Sequence, residues 1–356
     1  MIELSNSQTP ASLEEFGGVV QVRIEEMLDA EKVRWSGIDT CLVEPLEELW
    51  RMVAAGGKRL RPAFCYWAYV GAGGDPDDPL VVDAGAALEL LHTFALIHDD
   101  IMDGSLKRRG LDAVQVTFSD RHRLAGWRGE SRRFGDGVGV LVGDLAFVYA
   151  DQMLAAAPRP ARDVFTELRL EVNLGQYLDV YGTAKKILDP EFASKVCIFK
   201  SGKYTVERPL HLGAALNGAL EEFQAPLTDY GLPLGEAFQL RDDVLGVFGD
   251  ATVTGKPVGD DLREGKPTLL VALAAEKGDV ASLATIEDLF GRPDLDEAEI
   301  CQLQAVIVES GALALVESRI EMLVDRALVA ISASELTHRA ISELEALAIF
   351  VASRRS

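Results

Sequence analysis

Basic residues are scarce in this chain: 35 Lys and Arg stand against 57 Asp and Glu, a formal net charge of −22. That balance argues against nucleic acid or an anionic membrane as the main partner, because both repel an acidic surface. Cysteine is rarer still. Cys41, Cys65, Cys197 and Cys301 are scattered without short paired spacing, so neither a zinc site nor a disulfide framework is indicated, and a reducing, cytoplasmic setting is expected. Met1 to Asn6 lacks the basic-then-apolar pattern of a secretory signal. Long apolar runs are missing too: the best candidate for a membrane span, Gly137 to Ala150, is short and contains Asp144, so no stable membrane insertion is expected. There is no repeat of fixed period and no composition shift. The expectation is a flexible tail over 1–11 and one domain over 12–356.

Strict apolar–polar alternation is also lacking. Apolar residues recur at three- and four-residue spacing and the linkers are rich in Gly, Pro and Asp, which predicts an all-α architecture. Ser12 followed by Glu15 has the form of a capping box that would open a helix running towards Ala30. Further helices are expected over Glu44 to Ala55, Arg61 to Gly71, Leu80 to Asp103, Gly137 to Ala157, Pro160 to Tyr181, Glu191 to Leu216 and Ala225 to Phe248. Beyond these, Leu269 to Lys277, Ala281 to Phe290, Glu297 to Ser310, Ala312 to Ala330 and Ala333 to Ala352 complete the set. Two polar, Gly-containing segments, Phe118 to Gly135 and Gly249 to Gly265, read as long loops, and loops of that length are more often functional than idle.

What stands out against this background is a pair of acidic motifs. Leu96-Ile97-His98-Asp99-Asp100-Ile101-Met102-Asp103 and Gln239-Leu240-Arg241-Asp242-Asp243-Val244-Leu245 lie about 140 positions apart, each in an apolar helical stretch. Carboxylates there need neutralising, and divalent cations are natural candidates. Asp99 and Asp103 are four apart and share a helix face, so they can hold hard metal ions between them. Either motif alone is better explained by a solvated helix face or a helix N-cap. Two apolar helices bearing such pairs and facing each other would form a carboxylate-lined cavity suited to Mg²⁺ bound to a diphosphate, since Mg²⁺ takes few carboxylates and completes its shell with phosphate oxygens and water.

The cationic counterpart is Gly56-Gly57-Lys58-Arg59-Leu60-Arg61-Pro62, with Lys58 and Arg61 three apart beside a glycine turn. Lys107-Arg108-Arg109 follows the first acidic motif and brings two guanidinium forks suited to phosphate. His92, seven residues before Asp99, lies on nearly the same face, where it can donate to an anion or serve simply as a core histidine.

Taken in order, Gly-Gly-Lys-Arg-Leu-Arg-Pro, Leu-Leu-His, Asp-Asp-Ile-Met-Asp, Arg-Arg-Gly, Gly175-Gln176-Tyr177-Leu178-Asp179, Lys200-Ser201-Gly202, Phe238-Gln239-Leu240-Arg241-Asp242-Asp243 and Lys256/Lys266 resemble the trans-isoprenyl diphosphate synthases. The resemblance runs from about Gly56 to Lys266. It implies a helical bundle around a deep cavity, a homodimer, and Mg²⁺-dependent joining of isopentenyl diphosphate to an allylic diphosphate, with three Mg²⁺ per site. By the same resemblance Asp99 and Asp103 bind metal on one wall and Asp242 on the other, assisted by Asp100 and Asp243. Lys58, Arg61, His92 and Arg109 would hold isopentenyl diphosphate. Arg108, Lys200, Lys256 and Lys266 would hold the allylic diphosphate, and Gln239 with Lys200 and Ser201 would line the cation.

Chemistry gives independent reason for such a set. Breaking an allylic C–O bond develops a carbocation and a highly charged leaving group, which metal ions with Lys and Arg stabilise, and water must be excluded so that the cation is not quenched. One departure stands out: Gly246 occupies the place where the family usually has a third Asp, with Asp250 one turn further as a possible substitute. Ser201 stands where Thr is common.

Product length would be set by a floor on the helix before Asp99. Phe94, Ala95 and the deeper Leu91 and Leu90 are the candidates, and one bulky residue with no insertion in the motif looks like the geranylgeranyl (C20) pattern, with farnesyl (C15) close behind. A terpene cyclase would not need the Lys58/Arg61 site, and a non-catalytic partner subunit should have lost the acidic residues.

Overall fold

A computed structural model describes residues 10–249 and 259–353. Its helices in chain order are α1 (Ala11–Ser36), α2 (Glu44–Ala54), α3 (Leu60–Gly71), α4 (Pro79–Asp103), α5 (Val114–Leu124), α6 (Ser131–Met153), α7 (Arg159–Lys185), α8 (Pro190–Val196), α9 (Arg208–Leu216) and α10 (Leu220–Phe248). After the undescribed residues come α11 (Asp260–Glu264), α12 (Leu269–Lys277), α13 (Val280–Leu289), α14 (Glu297–Glu309), α15 (Ala312–Ser332) and α16 (His338–Ser353). The all-α expectation is correct, with a single two-residue hairpin among the described residues, β1 (Lys107–Arg108) against β2 (Leu111–Asp112).

Local chemistry explains the site-bearing helix. The Asp78 carboxylate accepts from Leu80 N at its start, Pro79 occupies the first turn where no N–H is needed, and Gly104 closes it at φ 70°. Its middle is almost wholly buried: Leu88, Leu90, Leu91 and Ile97 are fully covered. Each such aliphatic side chain contributes about 1.5–3 kcal/mol of burial free energy. Buried apolar residues form two clusters, one joining α1, α2, α4, α6 and α7, the other joining α3, α9, α10 and the C-terminal helices.

Several sequence expectations need correction. By length and composition α4 is long and apolar enough to cross a bilayer, which the reading of Gly137 to Ala150 as the best candidate missed; most of it is buried within the protein, as in a core helix. The Ser12/Glu15 capping box does not form: the helix starts two residues earlier, at Ala11 behind Pro10, and the Ser12 hydroxyl instead donates to Glu343 at 2.6 Å. That helix also runs past Ala30, where buried Glu31 accepts from Trp35 Nε1 (2.8 Å) and the Tyr149 hydroxyl (3.2 Å). Most of Phe118 to Gly135 is helical rather than loop, because Phe118 and His122 are buried and His122 packs edge-on against Trp127. Pro226 and Pro233 lie inside α10, which starts at Leu220 instead of Ala225; the burial of Phe223 and Leu227 outweighs the proline penalty. Glu191 to Leu216 is not one regular helix: a π-helical segment, Cys197–Glu207, interrupts it.

Candidate active site

The hairpin after α4 splits the basic cluster. Its two-residue turn has positive φ at Arg109 (53°) and Gly110 (76°), so Arg108 on the strand and Arg109 at the turn aim at different partners. Arg108 Nε donates to Asp100 Oδ1 (2.8 Å) and its Nη2 reaches Asp99 (3.3 Å). Arg109 donates to the carbonyl of Gly56 and, at 3.3 Å, to His92 Nε2.

The π segment does comparable work for Lys200. A wider turn shifts side-chain directions and is frequent at functional sites. A Cβ on Gly175 would lie 2.3 Å from Lys200 N, so glycine in α7 is what allows the segment to pack that closely. Lys200 Nζ then meets Asp99 Oδ1 (3.1 Å) and Asp179 Oδ2 (2.6 Å). Gln176 donates to the same Asp99 oxygen at 3.0 Å.

Two adjoining chambers result. A cavity of about 680 Å³ is lined by Lys58, Arg59, Arg61, His92 and Arg109 on its cationic side and by Ala95, Leu96, Val172 and Phe238 on its apolar side. A second, of about 360 Å³, is lined by Asp179, Asp242, Asp243, Asp260 and Asp261 together with Arg108 and Lys266. Asp99, Lys200, Gln239 and Asp242 border both. Burial would raise the Asp99 carboxyl, yet Lys200, Lys266 and Arg108 overcome it and hold the group well below the ordinary carboxylate range. Asp243 behaves oppositely: burial pushes it up to about 8, and the neighbouring carboxylates of Asp261 and Asp242 add to that, despite a 2.7 Å hydrogen bond from Gln239.

The carboxylates across the acidic chamber are hard oxygen donors, suited to a divalent cation such as Mg²⁺. Among the described residues no group of three or more His, Cys, Asp or Glu gathers tightly enough to hold an ion alone. An ion here would therefore complete its shell with oxygens from a bound diphosphate and water, as Mg²⁺ commonly does.

Comparison with known proteins agrees with this geometry. The model of the Polyprenyl synthetase family matches residues 43–307. The chain belongs to that family. It is 35% identical over 285 residues to a geranylfarnesyl diphosphate synthase of Aeropyrum pernix, covering 78% of this chain and 83% of the relative. It is 34% identical over 308 residues to a geranylgeranyl diphosphate synthase of Methanosarcina mazei, covering 82% and 87%. A crystal structure of geranylgeranyl pyrophosphate synthase from Corynebacterium glutamicum, complexed with isoprenyl diphosphate and magnesium, superposes with a TM-score of 0.91 at 36% identity, covering 97% of this chain and 99% of that one. The protein is thus a prenyltransferase, a trans-isoprenyl diphosphate synthase.

Within this polyprenyl synthetase the residues singled out in the sequence are distributed unevenly. Lys58, Arg61, His92, Arg109, Lys200, Ser201, Gln239, Asp99 and Asp242 line the larger chamber, and Asp243, Arg108 and Lys266 the smaller. Asp103 sits one turn below Asp99 with Lys266 Nζ 2.8 Å away. Asp100 is fully buried and grips Arg108, away from both linings. His92 lines the chamber and is bonded on both sides: Arg109 can only donate, so Nε2 accepts from it and Nδ1–H turns to the Tyr204 hydroxyl at 3.0 Å. Both nitrogens are engaged, and burial with the Arg61 and Arg109 charges keeps the ring neutral, its pKa well below the usual value.

Of the floor candidates, only Ala95 lines the cavity. Phe94 stands behind it, its ring 4.8 Å from Phe147 and 4.6 Å from His98, while Leu91 and Leu90 are fully buried in the core. Lys256 and Asp250 lie outside the described residues. Sequence reasoning missed Arg59, Glu89 and Tyr204. Arg59 pairs with Glu89 and donates to Val53 O at 2.6 Å, and the Arg61 guanidinium lies 4.2 Å over the Tyr204 ring. Arg59 was visible inside Gly-Gly-Lys-Arg; Glu89 and Tyr204 had no local signal.

Proposed function

We propose that this enzyme condenses isopentenyl diphosphate head-to-tail with dimethylallyl, geranyl and farnesyl diphosphates, with geranylgeranyl diphosphate as main product and diphosphate released. The observation that carries this reading is the meeting of a cationic and an acidic chamber at Asp99, Lys200, Gln239 and Asp242. Two anionic substrates need two binding regions, and one of the two must also accept cations.

Lys58, Arg61 and Arg109 bind isopentenyl diphosphate, with His92 fixing Arg109. Arg108, Lys200 and Lys266 bind the allylic diphosphate, and Lys256 belongs with them by its place in the family pattern. Asp99 and Asp103 on one wall and Asp242 and Asp243 on the other would hold Mg²⁺, three ions per site, which would supply Lewis-acid stabilisation of the departing diphosphate. Lysine and arginine add to that charge stabilisation in an enclosed setting, where such contacts count for most. The Gln239 carbonyl oxygen and the Ser201 region face the allylic carbon as its positive charge develops. The apolar wall of Ala95, Leu96, Val172 and Phe238 excludes water and receives the growing chain. The proton lost after coupling goes to the leaving diphosphate.

The protein is further read as a cytoplasmic homodimer. Exposed Leu141, Val148, Leu170, Leu174 and Tyr177 on α6 and α7 support a self-association face, and four free cysteines support a reducing compartment. The decisive test is incubation with labelled isopentenyl diphosphate, Mg²⁺ and each allylic primer, followed by sizing of the products. A C20 main product is expected; no elongation from any primer would sink the reading.

A further inference from the structure

Lys200 owes its aim at Asp99 to the π segment, so a group that holds that segment wide acts on the site. The segment closes on a bond from Arg208 N–H to Lys203 O, five residues back, where a regular α-helix would use Tyr204 O. The side chains of the same two residues meet on one carboxylate. Glu171, buried on α7, accepts from Arg208 Nε (2.7 Å) and Nη2 (2.8 Å) through its two oxygens, and from Lys203 Nζ through Oε1.

We propose that Glu171 is a positioning residue for Lys200: by bridging Lys203 and Arg208 it holds the π register and, through it, the ammonium that faces Asp99. This rests on the reading of Lys200 as a ligand of the allylic diphosphate. The face of α7 that carries Glu171 supports it. Gly175 lies one turn on and Asp179 two. Gly175 admits the backbone of Phe199 and Lys200, and Asp179 Oδ2 takes the Lys200 ammonium at 2.6 Å. Lys203 also reaches back, its ammonium 5.2 Å over the ring of Phe199, the residue before Lys200. Three successive turns of one helix thus fix the segment at its end, its backbone and its functional side chain.

Charge makes the bridge specific. Burial raises the Glu171 carboxyl, but the bonds from Arg208 and Lys203 outweigh that and hold it below its ordinary value, so it is ionised at neutral pH. A glutamine of the same size presents one acceptor oxygen in place of two and turns an NH₂ towards a cationic donor.

The test is a double-variant cycle read as the single-turnover rate at saturating geranyl and isopentenyl diphosphates. Glu171→Gln is expected to slow coupling about 10- to 100-fold, the range for misplacing a group by a change away from the reacting atoms. In Lys200→Met the same change should cost no more than about 2-fold, because the group it positions is gone. Lys203→Met leaves the fork between Glu171 and Arg208 in place, should show the same dependence on Lys200, and serves if Glu171→Gln fails to fold. Equal losses in both backgrounds, or a wild-type rate in both single variants, would overturn the assignment. A crystal structure of whichever variant folds gives a readout independent of activity. Arg208 N–H is expected to turn to Tyr204 O with Lys200 drawn away from Asp99, and an unchanged segment would overturn the proposal. No elongation by the wild-type protein would sink the synthase reading, while that structure still decides the role of Glu171.

Discussion

Lys200 and Asp99 face each other across the junction of the two chambers, with Nζ 3.1 Å from Oδ1. The contact ties the π segment to the end of α4 and leaves the ammonium beside the oxygen that would also serve a metal.

Replacement of Lys200 by Met should accordingly lower kcat by about 10²–10³, the range for losing one preorganised charge at a developing anion. The KM for isopentenyl diphosphate should change much less, because Lys58, Arg61 and Arg109 remain. Rapid-quench kinetics with geranyl diphosphate would separate the two constants; a rise in KM at unchanged kcat would contradict the role.

Glu89→Gln should be costly for stability as well as for binding. Arg59 and Glu89 form a buried pair, with side chains 6% and 2% exposed, and Arg59 is in the left-handed region at φ 49°. Leaving one charge of a buried pair unanswered costs about 3–5 kcal/mol. Urea denaturation of the variant measures the loss, and isopentenyl diphosphate affinity should fall with it, since Arg59 lines the cationic wall.

Phe94→Ala should lengthen the product. Phe94 lies behind Ala95 and closes that end with Phe147 at 4.8 Å, so removing the ring opens space along the apolar wall. Products beyond C20 are expected by chromatography of the dephosphorylated alcohols, along with a stability loss of about 3–5 kcal/mol. An unchanged C20 product would place the floor on other residues.

Acid should destabilise the fold through His211. Burial and the adjacent Arg208 guanidinium lower its pKa from 6.5 to about 4, and its Nε2 lies 3.0 Å from the Thr228 hydroxyl. The folded protein disfavours the proton that the unfolded chain accepts, so this stabilisation is complete above about pH 6.5 and is lost as pH falls towards 4. Its size is on the order of 3 kcal/mol. Denaturation midpoints between pH 4.5 and 7 should rise with pH in the wild type and flatten in His211→Asn.

The sequence by itself determined the helical class, most of the helices and the two acidic motifs, because these depend on local spacing: three- and four-residue periodicity makes amphipathic helices, and Asp99 and Asp103 share a face once a helix exists. The basic clusters were legible for the same reason, as charge set against an acidic background. Only tertiary structure decided which groups meet. That Arg108 and Arg109 diverge at a hairpin turn, that Arg109 takes up the His92 nitrogen, and that Glu89 answers Arg59 are outcomes of packing between distant segments. The π segment that turns Lys200 towards Asp99 depends on a close approach by α7 at Gly175, which no local propensity encodes. The same holds at Gly246, where the fold brings the Asp261 carboxylate, fifteen residues on, against the place a Cβ would take. Local periodicity reports what a segment can form; long-range burial and charge pairing select which partners it finds.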